Sequence, residues 1–358
     1  MRAILNHNSL ILSVVSTFMR HDSLPRKYSR CFSRVPKVLG PIGVDVFKEA
    51  TFELDKPLIL RASVYASNPN HTTSLPVPLP AFSKWFSDDK DPEKTTLSPY
   101  MNRFANATYW HEFVQRPGFY KHRNHPFWSW WAGKEPSSTS WLDIQMPDSP
   151  DNPRFARSRY PLSLLIAAQQ YNKEFPLTPI GNIYMPLVPH RVLPKELQDD
   201  IPVPDIVQHS GRGLINPLSS IWIGLQNTYS PWHRDMARGL CVQLRGSKKV
   251  RLAPRPLGKK IMMDARAKFP KHDMDTLYSE HGLVDIEKFN KHAESIYGWG
   301  PERTIVYDAI WGPNAPQDLY AATVHAGDAL YIPDKWWHSF KSGPKRGVLN
   351  ASVNWFFD

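Results

Sequence analysis

With 358 residues, 41% of them hydrophobic, the chain can bury the core of one large domain, which excludes a disordered or fibrous protein. Two cysteines, Cys31 and Cys241, are too few for a disulfide framework, a zinc finger or an iron–sulfur cluster, and no run of eighteen apolar residues offers a transmembrane helix. The formal charge of +11 suggests nucleic acid until it is mapped: residues 1–37 hold seven Lys or Arg against Asp22 alone, so the body of the chain is only mildly basic.

The opening "MRAILNHNSLILSVVSTFMRHDSLPRKYSRCFSR" is rich in Arg and Ser and nearly free of acids, which reads as a mitochondrial transit peptide. Two alternatives stand beside it. "LILSVVSTFM" resembles the apolar region of a secretory signal but lacks a small-residue cleavage site, and an untargeted tail would leave the protein cytoplasmic or nuclear. Residues 1–40 are therefore expected to be a disordered basic segment. Residues 41–179 are expected to form a helical and loop elaboration that carries the first core strand. In it, "DVFKEATFELDKPLILRAS" predicts a short helix and a strand over Leu58–Ala62. The Pro- and Trp-rich stretch 67–157 follows, with helices expected near Ala81–Phe86 and Tyr100–Val114. "SLLIAAQQYNKEF" (163–175) has helical spacing, with Leu164, Leu165, Ala168 and Tyr171 on one side.

From Gly181 the pattern changes. "NIYMPLV", "SSIWIGLQ", "LCVQL", "KVRLA", "RTIVYDAI", "YAATVHAG", "ALYIP", "WWHSF" and "VLNASVNWFF" are short, β-branched or aromatic, and punctuated by Gly and Pro. Such a series predicts an antiparallel sandwich or barrel. Between Arg245 and Lys271, ten basic residues stand against Asp264 alone, a solvated loop first and a patch for an anionic partner second.

The stretch "YSPWHRDMARGLCVQLRGSKKVRLAP" (229–254) carries the chemistry. Side chains at i and i+2 of an extended segment point the same way, so His233 and Asp235 converge while Arg234 turns aside. An imidazole and a carboxylate so placed are two of the three ligands of the facial triad that binds non-haem Fe(II). The third candidate is His338, 105 residues on in "HAGDALYIPDKWWHSF"; His325 is less well placed. Spacing alone is a weak signal, since a lone His is more often a core or surface residue than a ligand.

Its company strengthens it. "IWIGLQNTYSPWHRD", "QLRGSKKVRLAP", "AGDALYIPDKWWH" and "VNWFF", in this order over residues 180–358, resemble successive core segments of the JmjC and cupin-like dioxygenases that use Fe(II) and 2-oxoglutarate. Within that family the likeness is to the asparaginyl hydroxylases, with a fainter echo in "DKPLILRA". The resemblance implies a mainly β fold with peripheral helices around a double-stranded β-helix (jelly roll, cupin) core at 180–358. It also implies iron ligands at His233, Asp235 and His338, and cosubstrate contacts at Lys248, Ser230, Tyr184 and Asn354. Lys248 would pair with the distal carboxylate; Lys249 points to the opposite strand face. Gly239 departs from the pattern, standing where the hydroxylases have a second amide.

The implied reaction takes 2-oxoglutarate and O2 to succinate and CO2 while oxidising a C–H bond, with protein side-chain hydroxylation foremost. A small-molecule oxygenase, a lysine demethylase and a vestigial cupin binding protein are the alternatives. The demethylase is disfavoured if the basic segment 245–271 lines the entrance, because it would repel a cationic tail. Trp336 and Trp337 either wall the pocket or are ordinary core aromatics. An insert over about 262–318 would cover the site or bind a partner. Neither a specific nucleic acid nor a membrane is expected as a partner. The chain stops four residues after Asn354, short of a C-terminal helical extension, so a monomer or weak oligomer is expected.

Overall fold

Alternation of inward and outward side chains turns the second half of the chain into two facing sheets, and the first half supplies helices and further strands against one of them. The computed structural model describes residues 32–358 except 54, 65–72, 88–90, 92–93, 115–124, 135–154, 182, 211–217, 227, 236, 270–300, 344 and 358. In the first half the strands are β1 (Ser33–Arg34), β2 (Lys37–Leu39), β3 (Leu58–Arg61), β4 (Ser63–Val64), β5 (Thr73–Ser74), β6 (Thr108–Val114) and β7 (Phe155–Pro161). In the second half they are β8 (Ile183–Pro189), β9 (Leu218–Leu225), β10 (His233–Arg234), β11 (Arg238–Arg245), β12 (Ser247–Ala253), β13 (Tyr320–His325), β14 (Ala329–Ile332), β15 (Trp337–Ser342) and β16 (Leu349–Phe357).

One sheet has the order β1-β13-β12-β15-β10 and the other β2-β3-β14-β11-β16-β9-β8-β6-β7, while β4 and β5 form a separate pair. Apart from β1 with β13 and β2 with β3, all pairs are antiparallel. This is a mostly β jelly roll with a few helices. The chain crosses between sheets at Gly246, where φ is +70° and a Cβ would stand 2.8 Å from the Leu349 carbonyl oxygen. Only glycine fits that corner, and it sets the face of Lys248 two residues later.

Three apolar layers follow from the alternation. Between the sheets, Ile59, Leu330 and Ile332 of the larger one meet Val250, Leu252 and Val324 of the smaller. On the far side of the larger sheet, Leu240, Val242, Val353 and Trp355 pack against the N-terminal half, including helix α1 (Val44–Lys48). Short helices follow at α2 (Ala81–Lys84), α3 (Pro99–Asn102) and α4 (Pro126–Lys134), then the longer α5 (Ser163–Glu174), whose Leu164, Leu165, Ala168 and Tyr171 are all buried there. α6 (Lys195–Asp199) and α7 (Asp205–Gln208) complete that side. On the far side of the smaller sheet, α8 (Arg255–Arg266) and α9 (Pro301–Trp311) bury Ile261, Met262 and Ala265 against Val306 and Ile310. Each fully buried Leu or Ile contributes roughly 1.5–3 kcal/mol of transfer free energy.

Two expected elements differ. "RTIVYDAI" is not a strand: it lies within α9, where the i, i+4 pair Val306 and Ile310 makes a buried stripe and packing overrides β-branched propensity. The helix expected over Tyr100–Val114 ends at Asn102, and Thr108–Val114 is β6, with buried Tyr109 and His111 alternating with more exposed Trp110 and Glu112. The larger sheet thus draws β2, β3, β6 and β7 from before residue 180. The expected disordered segment lies outside the described residues up to Cys31, whereas Ser33–Leu39 supply β1 and β2.

Candidate active site

The edge strand β10 brings the first candidates together. His233 lies directly opposite His338 of β15, so both imidazoles stand on one face, with ring centroids 4.3 Å apart. Asp235 follows just beyond β10 and completes the group: its carboxylate oxygens lie 3.4 Å from His338 Nε2 and 3.9 Å from His233 Nε2. All three ligand atoms fall within 4.8 Å of one another. These separations are long for hydrogen bonds, and small side-chain rotations would bring the three donors within ~2.0–2.2 Å of one ion. His233 Nδ1 lies 2.8 Å from the Pro231 carbonyl oxygen and His338 Nδ1 3.2 Å from that of Trp336. With Nδ1–H donated to a carbonyl, each Nε2 keeps its lone pair for a metal. Burial, and after it the neighbouring His233, hold the His338 imidazole down to about 4 against the pull of Asp235, so it is the neutral ligand form at pH 7.

Lys248 reaches the same cavity from β12. It is buried, and its ammonium donates a 2.6 Å hydrogen bond to Ser352 Oγ of β16. Among the described residues no carboxylate lies within ion-pair distance, and burial pushes the amine below its ordinary value, with the neighbouring Cys241 opposing. A buried ammonium lacking a counter-charge is costly unless an anion joins it. Asn354, on the inward face of β16 opposite Cys241, has a buried Oδ1 that accepts no hydrogen bond among the described residues.

Tyr184 projects from β8, which lies close against β9 because residue 224 is glycine: a Cβ there would stand 2.4 Å from the Ile183 carbonyl oxygen. Burial, and then Glu112 across the strand pair, keep its phenol well above 10 and protonated. Ser230 Oγ accepts the Phe340 N–H at 2.9 Å, which leaves its own proton for another acceptor. A cavity of about 340 Å³ is lined by all seven sequence-derived candidates, together with Glu112, Trp222, Tyr229, Cys241, Phe340 and Phe356. The structure therefore gathers residues spread from 184 to 354 around one space.

Several expectations change. Trp336 and Trp337 do not wall the cavity: Trp336 belongs to the layer between the sheets, and Trp337 faces outward onto Trp232 beside Gly258 of α8. The cavity's aromatic wall is instead Tyr184, Trp222, Phe340 and Phe356. Among the described basic residues of the 245–271 segment, Lys248 alone lines the cavity, and Lys249 is exposed, so the described part of that segment does not guard the entrance with positive charge. At Gly239 the cross-strand partner is Phe356, whose ring lies 3.9 Å from where a Cβ would stand. Ser352 was missed by sequence reasoning, although it shares the inward face of β16 with Asn354 two residues on. Glu112 was missed because its strand was expected as helix. The described ends of the expected insert, in α8 and α9, pack behind the smaller sheet, while 270–300 lie outside the described residues.

A family model of the cupin-like domain matches residues 167–358. The chain belongs to the cupin-like domain family. Its domain has distant homology to JmjC proteins: it is 26% identical over 181 residues to the lysine-specific demethylase JMJ30 of Arabidopsis thaliana, covering 50% of this chain and 35% of that one. It is also 28% identical over 147 residues to Jumonji C domain-containing protein 5 of Drosophila melanogaster, covering 41% and 30%. The matches thus span about a third of the length of these relatives. The cupin-like domain holds its candidate metal group between the sheets, on β10 and β15.

Proposed function

We propose that the domain is an Fe(II)- and 2-oxoglutarate-dependent dioxygenase that hydroxylates a protein side chain. One observation carries the reading: a single cavity contains both the His233–Asp235–His338 group and a buried ammonium that calls for an anion. Iron held by those three side chains would, with O2 and the keto acid, supply oxidation of a C–H bond with release of succinate and CO2. Lys248 and Ser352 bind a carboxylate of the keto acid, and the Ser230 and Tyr184 hydroxyls are further donors to it. The Asn354 amide orients the cosubstrate, and the aromatic wall excludes water.

The rim favours a polypeptide. β8, β6 and β7 extend the larger sheet past the cavity, and Leu187, Trp110 and Arg159 beside it are exposed. A small-molecule oxygenase would enclose its substrate. Lysine demethylation is the second reading, because the Glu112 carboxylate lines the cavity and the Arabidopsis relative is named for that activity.

The test supplies the iron-loaded protein, 2-oxoglutarate and O2 with a proteome-derived peptide pool and follows products by mass spectrometry. Peptides gaining one oxygen, with matching succinate and none from Asp235→Ala, support hydroxylation. Loss of methyl groups with formaldehyde release replaces it by demethylation. Absence of both, with no succinate formed, contradicts the dioxygenase itself.

A further inference from the structure

The strand that carries His233 is out of step with the segment just before it. Tyr229 bridges Lys341, whereas His233 lies opposite His338 and Arg234 opposite Trp337. Residues 230–232 therefore face only Ser339 and Phe340, a one-residue β-bulge. On β15, His338, Phe340 and Ser342 line the cavity, while Ser339 and Lys341 face the side of α9. Tyr229, opposite Lys341, borders the cavity, but its ring packs edge-on against Tyr307 of α9 at 5.1 Å, on the side that Lys341 faces. Were alternation to continue unbroken from Tyr229, His233 would also face outward. The extra residue reverses the parity and turns the imidazole towards His338.

Side chains hold this bulge where ladder bonds fail. Ser230 N–H donates to the Phe340 carbonyl at 2.9 Å, but the Phe340 N–H goes to Ser230 Oγ, also at 2.9 Å. The Ser230 carbonyl accepts from Ser339 Oγ at 2.6 Å, and that hydroxyl in turn accepts from Trp311 Nε1 at 2.9 Å. Ser339 is fully buried. Pro231 has no N–H to satisfy, and Trp232 is anchored by its indole N–H to the Gly258 carbonyl of α8 at 3.2 Å.

We propose that Trp311 and Ser339 are positioning residues: their hydrogen-bond chain locks the bulge that brings His233 and Asp235 onto the same ion as His338. The proposal rests on the metal-site reading above, and its test keeps the two apart. The probe is Co(II) added to the metal-free protein, read by its visible ligand-field bands, with Ser339→Ala and Trp311→Phe as variants. Trp311→Phe keeps an aromatic ring near Arg251, 4.7 Å from the indole in the wild type, and removes the N–H donor along with part of the ring.

Both variants are expected to melt near the wild-type temperature. The Co(II) dissociation constant should rise about ten-fold in Ser339→Ala and by a smaller factor in Trp311→Phe, with shifted bands in both. Wild-type bands with both folded variants unchanged overturn the bulge lock and leave the metal site standing. No bands from the wild type remove the site itself. Should Ser339→Ala fail to fold, Trp311→Phe decides by the same criterion.

Discussion

The space between the two sheets has two halves built on the same alternation and filled in opposite ways. On β12 the inward positions are Lys248, Val250 and Leu252; on β15 they are His338, Phe340 and Ser342. One half is a dry layer in which Val250 and Leu252 meet Ile59 and Leu330. The other holds an ammonium, two imidazoles and a carboxylate around a cavity. Two strands therefore carry both the adhesive that joins the sheets and the groups that oppose it. A buried charge without a counter-charge lowers stability, and its presence on an otherwise apolar face marks where a ligand completes the structure.

The contrast can be broken from the dry half first. Leu252→Asp places a carboxylate among Ile59, Val250 and Leu330, and should cost more than ~4 kcal/mol, enough to abolish a cooperative melt by circular dichroism. Lys248→Met, two turns of alternation away on the same strand face, should behave in the opposite sense. Removing an ammonium without a counter-charge stabilises the ligand-free protein by about 1 kcal/mol. It should also weaken 2-oxoglutarate binding about 100-fold, or ~2.7 kcal/mol, by calorimetry on the metal-loaded protein. Lys249→Met on the exposed face should change neither quantity.

A pH series sharpens the comparison. Burial holds His111 and His338 at about 4 in the folded chain, against about 6.5 when unfolded. The unfolded state thus takes up protons first. Stability of the metal-free protein is full above about pH 6.5, declines as pH falls towards about 4, and levels off below. Denaturant midpoints across that range check it; a flat profile would contradict the buried neutral imidazoles.

Much of this contrast was legible in the chain. Short alternating runs from Ile183 onward predicted β8, β9 and β11–β16, and the His233, Asp235 and His338 group followed from strand geometry and from a resemblance carried by four ordered segments. What escaped was set by non-local packing. Nothing in "RTIVYDAI" announces that Val306 and Ile310 will lie on α8, and "TYWHEFV" shows its alternation only once β7 and β8 flank it. The face of Trp337 depends on the parity of a strand whose start is not marked in the sequence. The bulge before His233 depends on hydroxyls from residues 109 positions apart, Ser230 and Ser339, so the i, i+2 rule placed His233 and Asp235 together without revealing what turns them inward.

The most direct measurement is an anaerobic titration of the protein with Fe(II) and 2-oxoglutarate, followed by visible absorption, with Asp235→Ala and Lys248→Met alongside. The account predicts a metal-to-ligand charge-transfer band in the wild type. It should be absent in Asp235→Ala, and in Lys248→Met it should appear only at far higher keto-acid concentration. A folded wild-type protein that gives no band, or a band indifferent to both substitutions, would contradict the claim that this cavity is an iron and keto-acid site.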